Sequence, residues 1–358
     1  MKIVKIIHFC EVSKKVQTAC GESYIISNNS VKINSEYYVK ESNKTVELLK
    51  VRKRLTYSEI YQKIVEEDQI IQVKDNLDTK LLESMIKHIG FYRLKGYIYY
   101  YRNTGNTNYS QTNGFTPSVK QVYKLYLFDK ELRAILLKII ETIEISLRGR
   151  ISHVLSQYGH GYHMSSLNYS KKFEKREIIH NWIGRNYTFT KKDNRSYIRN
   201  AAIKYGDYTP IWTSIECWDF GMIKHIFDIM SDKNRNDVAT HYGFTPKLLN
   251  NWINVINDIR NKVAHHIRIF NDVTMSLSFK LDGRKKYLNK DLHNIVNNNH
   301  SITSVLLAMF YLLKEINLDY KEIKDSLTDL LLSVIGNDII SYDSVGLNEA
   351  ILNKYFLD

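Results

Sequence analysis

Proline is scarce in this chain, 3 among 358 residues, and glycine is sparse at 15, which leaves little room for long disordered linkers. Cysteine is equally thin: Cys10, Cys20 and Cys217 form an odd, widely spaced set with no C-x-x-C pair. Neither a disulfide framework nor a zinc site is indicated, and a reducing cytosol fits. The N-terminal MKIVKIIHFCEV is interrupted by Lys5 and His8, and is too short for a signal-peptide core or a membrane span. The chain carries no glycine-rich phosphate loop, internal repeat or low-complexity tract. A soluble cytoplasmic protein with no membrane partner is expected.

Positive charge, by contrast, is in excess. Lys and Arg number 51 against 38 Asp and Glu, a net +13, with pI about 9.3. Such a surface favours an anionic partner, nucleic acid before membrane. The charge is uneven: Glu315–Asp358 holds nine acidic and three basic residues, so the preceding 314 carry +19. The acidic end is not the expected nucleic-acid surface.

The first 45 residues read as a small β-rich extension. Lys2–Phe9 is a β-branched run, and Ser23–Ile26 and Val31–Val39 flank Asn28-Asn29, a hairpin signal. From about 46 to 358 the pattern is mainly helical. Thr56–Glu67 and Leu77–Ile89 have helical periodicity, the latter with Asp78 or Thr79 as start signal. Asn103–Pro117 reads as a loop, Val119–Tyr158 as long helical material ending at Gly159-His160-Gly161, and Gly184–Asp193 as irregular. Pro210 opens a helix running to about Met230, and Thr245-Pro246 opens another over about 246–268. Ile302–Leu312 and the acidic tail 315–358 close the fold.

The segment DIRNKVAHHIRIFND, Asp258–Asp272, concentrates the chemistry. Trp252, Ile256, Ile259 and Val263 recur at spacings of 4, 3 and 4, one buried helical stripe. With Arg260 set at 0°, that stripe falls at roughly 260–320°, whereas Asn254, Asn257, Asp258, Asn261 and His265 fall at roughly 60–160°. His266, at about 240°, belongs to the core edge. Arg260, three asparagines and His265 therefore share a polar side. A guanidinium fork matches phosphate oxygens, and an imidazole can move a proton near neutral pH. Together they are a minimal kit for cleaving RNA without a metal.

This segment resembles the HEPN ribonuclease superfamily, whose motif is an arginine, usually a polar residue after it, and a histidine four to six residues on. Here Arg260, Asn261 and His265 match it. The chain is more narrowly similar to bacterial abortive-infection proteins of the AbiD/AbiF type. Three further blocks carry that likeness: IGFYRLKGY (Ile89–Tyr97), IEISLRGRISHVLSQYG (Ile143–Gly159) and PIWTSIECWDFGMIKHIF (Pro210–Phe227). The resemblance implies a HEPN-type helical bundle and a phage-defence toxin that leaves 2′,3′-cyclic phosphate and 5′-hydroxyl ends. It implies catalysis by Arg260, Asn261 and His265, no cofactor, and two motifs meeting in one site, hence a homodimer unless Arg148 and His153 supply the second half within one chain. It also implies an inhibitor, a protein or a small RNA, and a phage-encoded trigger.

Other stretches invite competing readings. Glu144, Arg148 and His153 offer a second arginine–histidine pair, the alternative being an i,i+4 brace of Glu144 with Arg148. GFYRLKGYIYYYR mixes aromatics with cations, suiting base stacking, but its helical spacing favours core packing. Lys171–Lys204 holds ten basic and three acidic residues. Lys171, Lys172, Lys175, Arg176, Arg185, Lys191, Lys192 and Arg195 are its candidate RNA contacts. HGYH (His160–His163) has no carboxylate at ligand spacing, so no metal site is expected there. The expected fold is mainly α with a β-rich N-terminal extension. The expected function is a metal-independent endoribonuclease; a non-catalytic RNA-binding regulator or a phage-sensing scaffold is the alternative.

Overall fold

The computed structural model describes residues 2–10, 15–20, 22–26, 31–32, 36–42, 45–50, 54–102, 116–171, 175–206, 209–271, 302–316, 320–335 and 339–357. The chain divides into two compact units, Met1–Glu67 and Asp68–Asp358.

In the first unit β1 (Lys2–Cys10), β2 (Lys15–Thr18), β3 (Ser23–Ile25), β4 (Glu36–Ser42) and β5 (Thr45–Lys50) form an antiparallel sheet in the order β3-β2-β1-β4-β5. Side chains alternate between faces along each strand, and Val4, Ile6, Val16, Ile26 and Tyr37 gather on one face as its core. Asn28 and Asn29 lie outside the described residues, but the runs flanking them do not pair as a hairpin. β3 pairs with β2, whereas β4 uses both edges, against β1 and β5. The long-range partner wins over the local turn signal. α1 (Tyr57–Gln62) comes next, opened by a Thr56–Glu59 capping box that satisfies two orphan donors reciprocally.

The second unit is helical. α2 (Asn76–His88) starts two to three residues before the expected signals, because Asp75 accepts from the backbone N–H groups of Leu77 and Asp78. α3 (Phe91–Arg102) leads to α4 (Val119–Ser156), 38 residues long and so about 57 Å from end to end. No proline interrupts α4, Ser118 and Gln121 cap its start, and its buried residues recur every three to four positions, from Val122 through Leu132, Ile139 and Leu147 to Leu155. Helices before and after it in sequence, α2 and α3 among the former, pack on this rod.

α5 (Arg176–Lys192) runs straight through the segment expected to be irregular. A helical glycine costs about 1 kcal/mol against alanine; Ile179, Trp182 and Asn186 are buried on the same helix, and that burial offsets the Gly184 penalty. Next come α6 (Ser196–Tyr205), α7 (Ile211–Ser214), α8 (Phe220–Ile229), α9 (Asp232–His241) and α10 (Pro246–Ala264). The helix expected from Pro210 to Met230 is thus broken. Trp218 is extended, and Asp219 caps α8 by accepting from the Met222 N–H at 2.8 Å. α11 (Ile302–Ile316), α12 (Tyr320–Ile335), α13 (Tyr342–Val345) and α14 (Glu349–Leu352) complete the unit.

Candidate active site

α10 is the best-seated element near the proposed chemistry. Trp252, Ile256, Ile259 and Val263 are at most 3 % exposed, as the stripe predicts, and the helix packs on α4, α8 and α9. Contact on three sides also buries Asn257, which the wheel placed with the polar residues. Arg260 is half-buried, and Asn261 and His265 are exposed. Among the described residues no hydrogen bond or ion pair engages the side chains of these three. A rigid helix therefore presents a fork of donors, an amide and an imidazole to solvent within about 7.5 Å of axial rise.

The helix ends at Ala264, with His265 as its C-cap. His266 adopts φ 56°, its N–H donates to the Val263 carbonyl, and the Ile267 N–H donates to the Lys262 carbonyl at 2.9 Å. That pair of bonds is a Schellman ending, in which the left-handed position normally takes glycine. His266 is exposed, not at the core edge: an ideal wheel extrapolates the helix past the point where the backbone turns left-handed.

The backbone after His265 is fastened by residues that motif reading did not single out. Arg93 on α3 donates to the His266 carbonyl at 2.6 Å. Arg268 donates to the Gly96 carbonyl, and a Cβ at position 96 would lie 3.0 Å from the Arg268 guanidinium, so glycine there permits the approach. The buried Asp129 carboxylate accepts from Ile269 N–H at 2.9 Å, Phe270 N–H at 2.7 Å, the Tyr97 hydroxyl at 2.7 Å and Arg133. The block Ile89–Tyr97 thus acts as a clamp on the residues after the catalytic candidate. Its aromatics obey the core reading, since Leu94, Tyr97, Ile98, Tyr100 and Tyr101 are buried, although Tyr92 is 92 % exposed.

The second arginine–histidine pair does not converge. Arg148 donates to Glu144 and, at 2.6 Å, to the Trp218 carbonyl, with Glu216 at 3.8 Å. It holds the break between α7 and α8. His153, about 140° around α4 from Arg148, faces a cleft of about 290 Å³ with Arg150 and Asp237. Glu144 is nonetheless part of the first site's surroundings. Burial raises its carboxyl above the ordinary value, against the pull of Arg148 and then Arg260, and Asp219 adds to the rise. The acid on α4 and the free arginine on α10 therefore sense one another.

The basic stretch divides. Lys175 is tied to the carbonyl and carboxylate of Asp228, Arg185 to Asp219 at 2.6 Å, and Arg195 to Asp193 at 2.5 Å and the Glu216 carbonyl at 3.0 Å. These three fasten the fold. Lys171, Arg176, Lys191 and Lys192 are exposed, and Lys172 lies outside the described residues. The HGYH segment also splits: His160 is exposed and His163 is fully buried, with burial lowering the His163 pKa to about 4. Among the described residues no group of three His, Cys, Asp or Glu is placed to hold a metal ion, and no helix is long and apolar enough to cross a membrane.

The four sequence blocks therefore meet physically: α3 clamps the end of α10, and α4 grips the Trp218–Asp219 corner beside it. Residues 84–271 match the model of a family described as Abi-like protein, just over half of the chain. The chain belongs to the Abi-like protein family. The family's name refers to abortive infection, a bacterial response to phage. No curated protein and no solved structure matches the chain.

Proposed function

We propose that this Abi-like protein is an endoribonuclease of the HEPN superfamily, AbiD/AbiF type, that cleaves RNA without a metal as a phage-defence toxin. One observation carries the reading: the Arg260 guanidinium, unlike that of Arg148, is uncommitted and stands beside exposed Asn261 and His265 on a fixed helix end. Arg260 binds the phosphate and offsets the charge that builds on its oxygens in the transition state. His265 takes the proton of a ribose 2′-hydroxyl, whose oxygen bonds to phosphorus as the 5′-oxygen of the next nucleotide leaves. A second proton donor returns a proton to that leaving oxygen. The products are a 2′,3′-cyclic phosphate and a 5′-hydroxyl, and Asn261 orients the imidazole or the ribose.

His153 faces another cleft, so the second proton donor is His265 of a second copy, giving a homodimer. An inhibitory protein or small RNA holds the toxin silent until a phage-encoded trigger releases it. The test incubates purified protein with total cellular RNA in excess EDTA and maps the new ends. Cyclic-phosphate ends from wild type and none from His265→Ala support the proposal. RNA retention without cleavage points to a binding regulator, and absence of both sinks the nuclease.

A further inference from the structure

Beyond the cleavage site, the HGYH segment lines a cleft that the proposed cleavage chemistry does not use. The cleft is about 430 Å³, bounded by Tyr158, His160, Tyr162, Met164 and the bare backbones of Gly159 and Gly161. Tyr158 and Tyr162 stack at 4.6 Å on one wall. From His160 an aromatic row continues outward: its ring lies 5.5 Å from Tyr205, and Tyr205 meets Trp212 edge-on at 6.2 Å. Cations frame both ends, Lys233 over Tyr158 at 5.7 Å and Lys204 over Tyr205 at 5.2 Å. His160 and Trp212 are both exposed.

Exposed rings interleaved with lysines are what unpaired nucleic acid requires, since every base has a face to stack and every linkage a phosphate to neutralise. A duplex keeps its bases stacked inside and gains nothing from the rings. The row is also tied to the α7–α8 corner that Arg148 holds. The Ile211 N–H donates to the His160 carbonyl at 3.0 Å, and the same segment, seven residues on, gives its Trp218 carbonyl to Arg148 at 2.6 Å.

We infer that the cleft and the row His160–Tyr205–Trp212 form a base-stacking subsite for the unpaired RNA that the protein cleaves. This inference rests on the ribonuclease reading and adds a preference for single-stranded substrate.

The chain supplies its own reporter. Trp182, Trp218 and Trp252 are at most 3 % exposed, whereas Trp212 is 47 % exposed. In the His265→Ala background, which binds without cutting, a short oligouridylate should shield the exposed tryptophan from iodide quenching. His160→Ala with Trp212→Ala should weaken oligouridylate binding about tenfold, with an unchanged salt slope, because stacking releases no counterions. Trp212→Phe should restore the affinity, and binding to a duplex should not change. Both alanine sites are on the surface, so folding is expected to survive and circular dichroism checks it. Undiminished oligouridylate binding by the double variant, or equal loss on duplex, overturns the subsite but leaves the nuclease standing. No binding of any RNA at low salt overturns both.

Discussion

Arg93 donates from Nη1 to the carbonyl oxygen of His266 at 2.6 Å, across 173 positions of sequence. The bond joins α3 to the residue immediately after His265, so the backbone that carries the imidazole is held in part by α3. Charge-assisted bonds are stronger than neutral ones, but this one is exposed and contributes modestly to stability. Arg93→Ala should therefore lower the cleavage rate about tenfold or more, as misplacement of an acid–base group does, with only a small change in melting temperature. Arg93→Lys should recover little, because a single ammonium cannot reproduce the fork. Equal losses of stability and rate would make Arg93 an ordinary packing residue.

His266 sits at φ 56°, a conformation that costs a side-chain-bearing residue about 1 kcal/mol or more and glycine almost nothing. Its side chain is exposed, so little packing is lost on truncation. His266→Gly should raise the melting temperature by a few degrees and leave cleavage intact, whereas His266→Val should lower it. Thermal unfolding of the two variants, set beside their cleavage rates, decides whether the position is only a helix stop.

Sequence periodicity read α4 and α10 well, because a single helix face buried along its length writes an unbroken pattern of apolar residues. It failed where a long-range contact overrides a local pattern. The continuous run from Pro210 reads as one helix, yet Arg148 draws out the Trp218 carbonyl and Asp219 restarts the helix. Gly184 reads as a breaker, yet Trp182 and Asn186 are buried in the same helix. Arg260 and His265 were legible as a pair, but not their support. Arg93, Asp129 and Arg268 lie far from one another or from the motif in sequence, and only folding shows whose carbonyls and N–H groups they meet. The tie of Lys175, Arg185 and Arg195 into ion pairs was equally hidden, since a count of cations cannot tell a surface charge from a strut.

Burial lowers the His163 pKa from 6.5 to about 4, which gives the protein an acid-sensitive window. Between those values the unfolded chain takes up a proton that the folded chain refuses, so stability falls as pH drops from about 6.5 to about 4. Above 6.5 both states are neutral at this group, and below 4 both are charged, so its contribution stops changing. His163→Phe should flatten the dependence of the urea midpoint on pH across that window. Burial also lowers the pKa of His225 and of His241, leaving a residual slope in the same direction. An unaltered slope would mean that His163 does not carry the acid sensitivity.

Asp129 is 0 % exposed and Arg133 is 6 % exposed, so the clamp behind the proposed catalytic segment has a buried ion pair at its root. Removing one member strands the other charge in the interior, typically a loss of about 3–5 kcal/mol. Asp129→Ala should cost that much and also release the Ile269 and Phe270 N–H groups; Asp129→Asn, which keeps an acceptor, should cost less. Denaturant unfolding measures both. A loss under about 1 kcal/mol for Asp129→Ala would show that the pair is not a foundation of this region.

Arg148 and Arg260 make opposite predictions from one chemistry. Arg148 spends its guanidinium on Glu144, the Trp218 carbonyl and Glu216, and its side chain is 19 % exposed. Arg148→Ala leaves a mostly buried carboxylate and a carbonyl without their donor, a penalty of roughly 1–3 kcal/mol. It should unfold at lower denaturant and lose the α7–α8 corner. Arg260 has no such bonds among the described residues; it acts on Glu144 through charge attraction alone. Arg260→Ala should leave the unfolding midpoint near wild type and slow cleavage by about 10²-fold or more, the scale of losing a transition-state charge stabiliser. The decisive measurement is the pair of ratios, rate lost against stability lost, for the two variants under one set of conditions. If Arg148→Ala, refolded and stable at low temperature, were as dead as Arg260→Ala, then the arginine on α4 would belong to the catalytic machinery rather than to its frame.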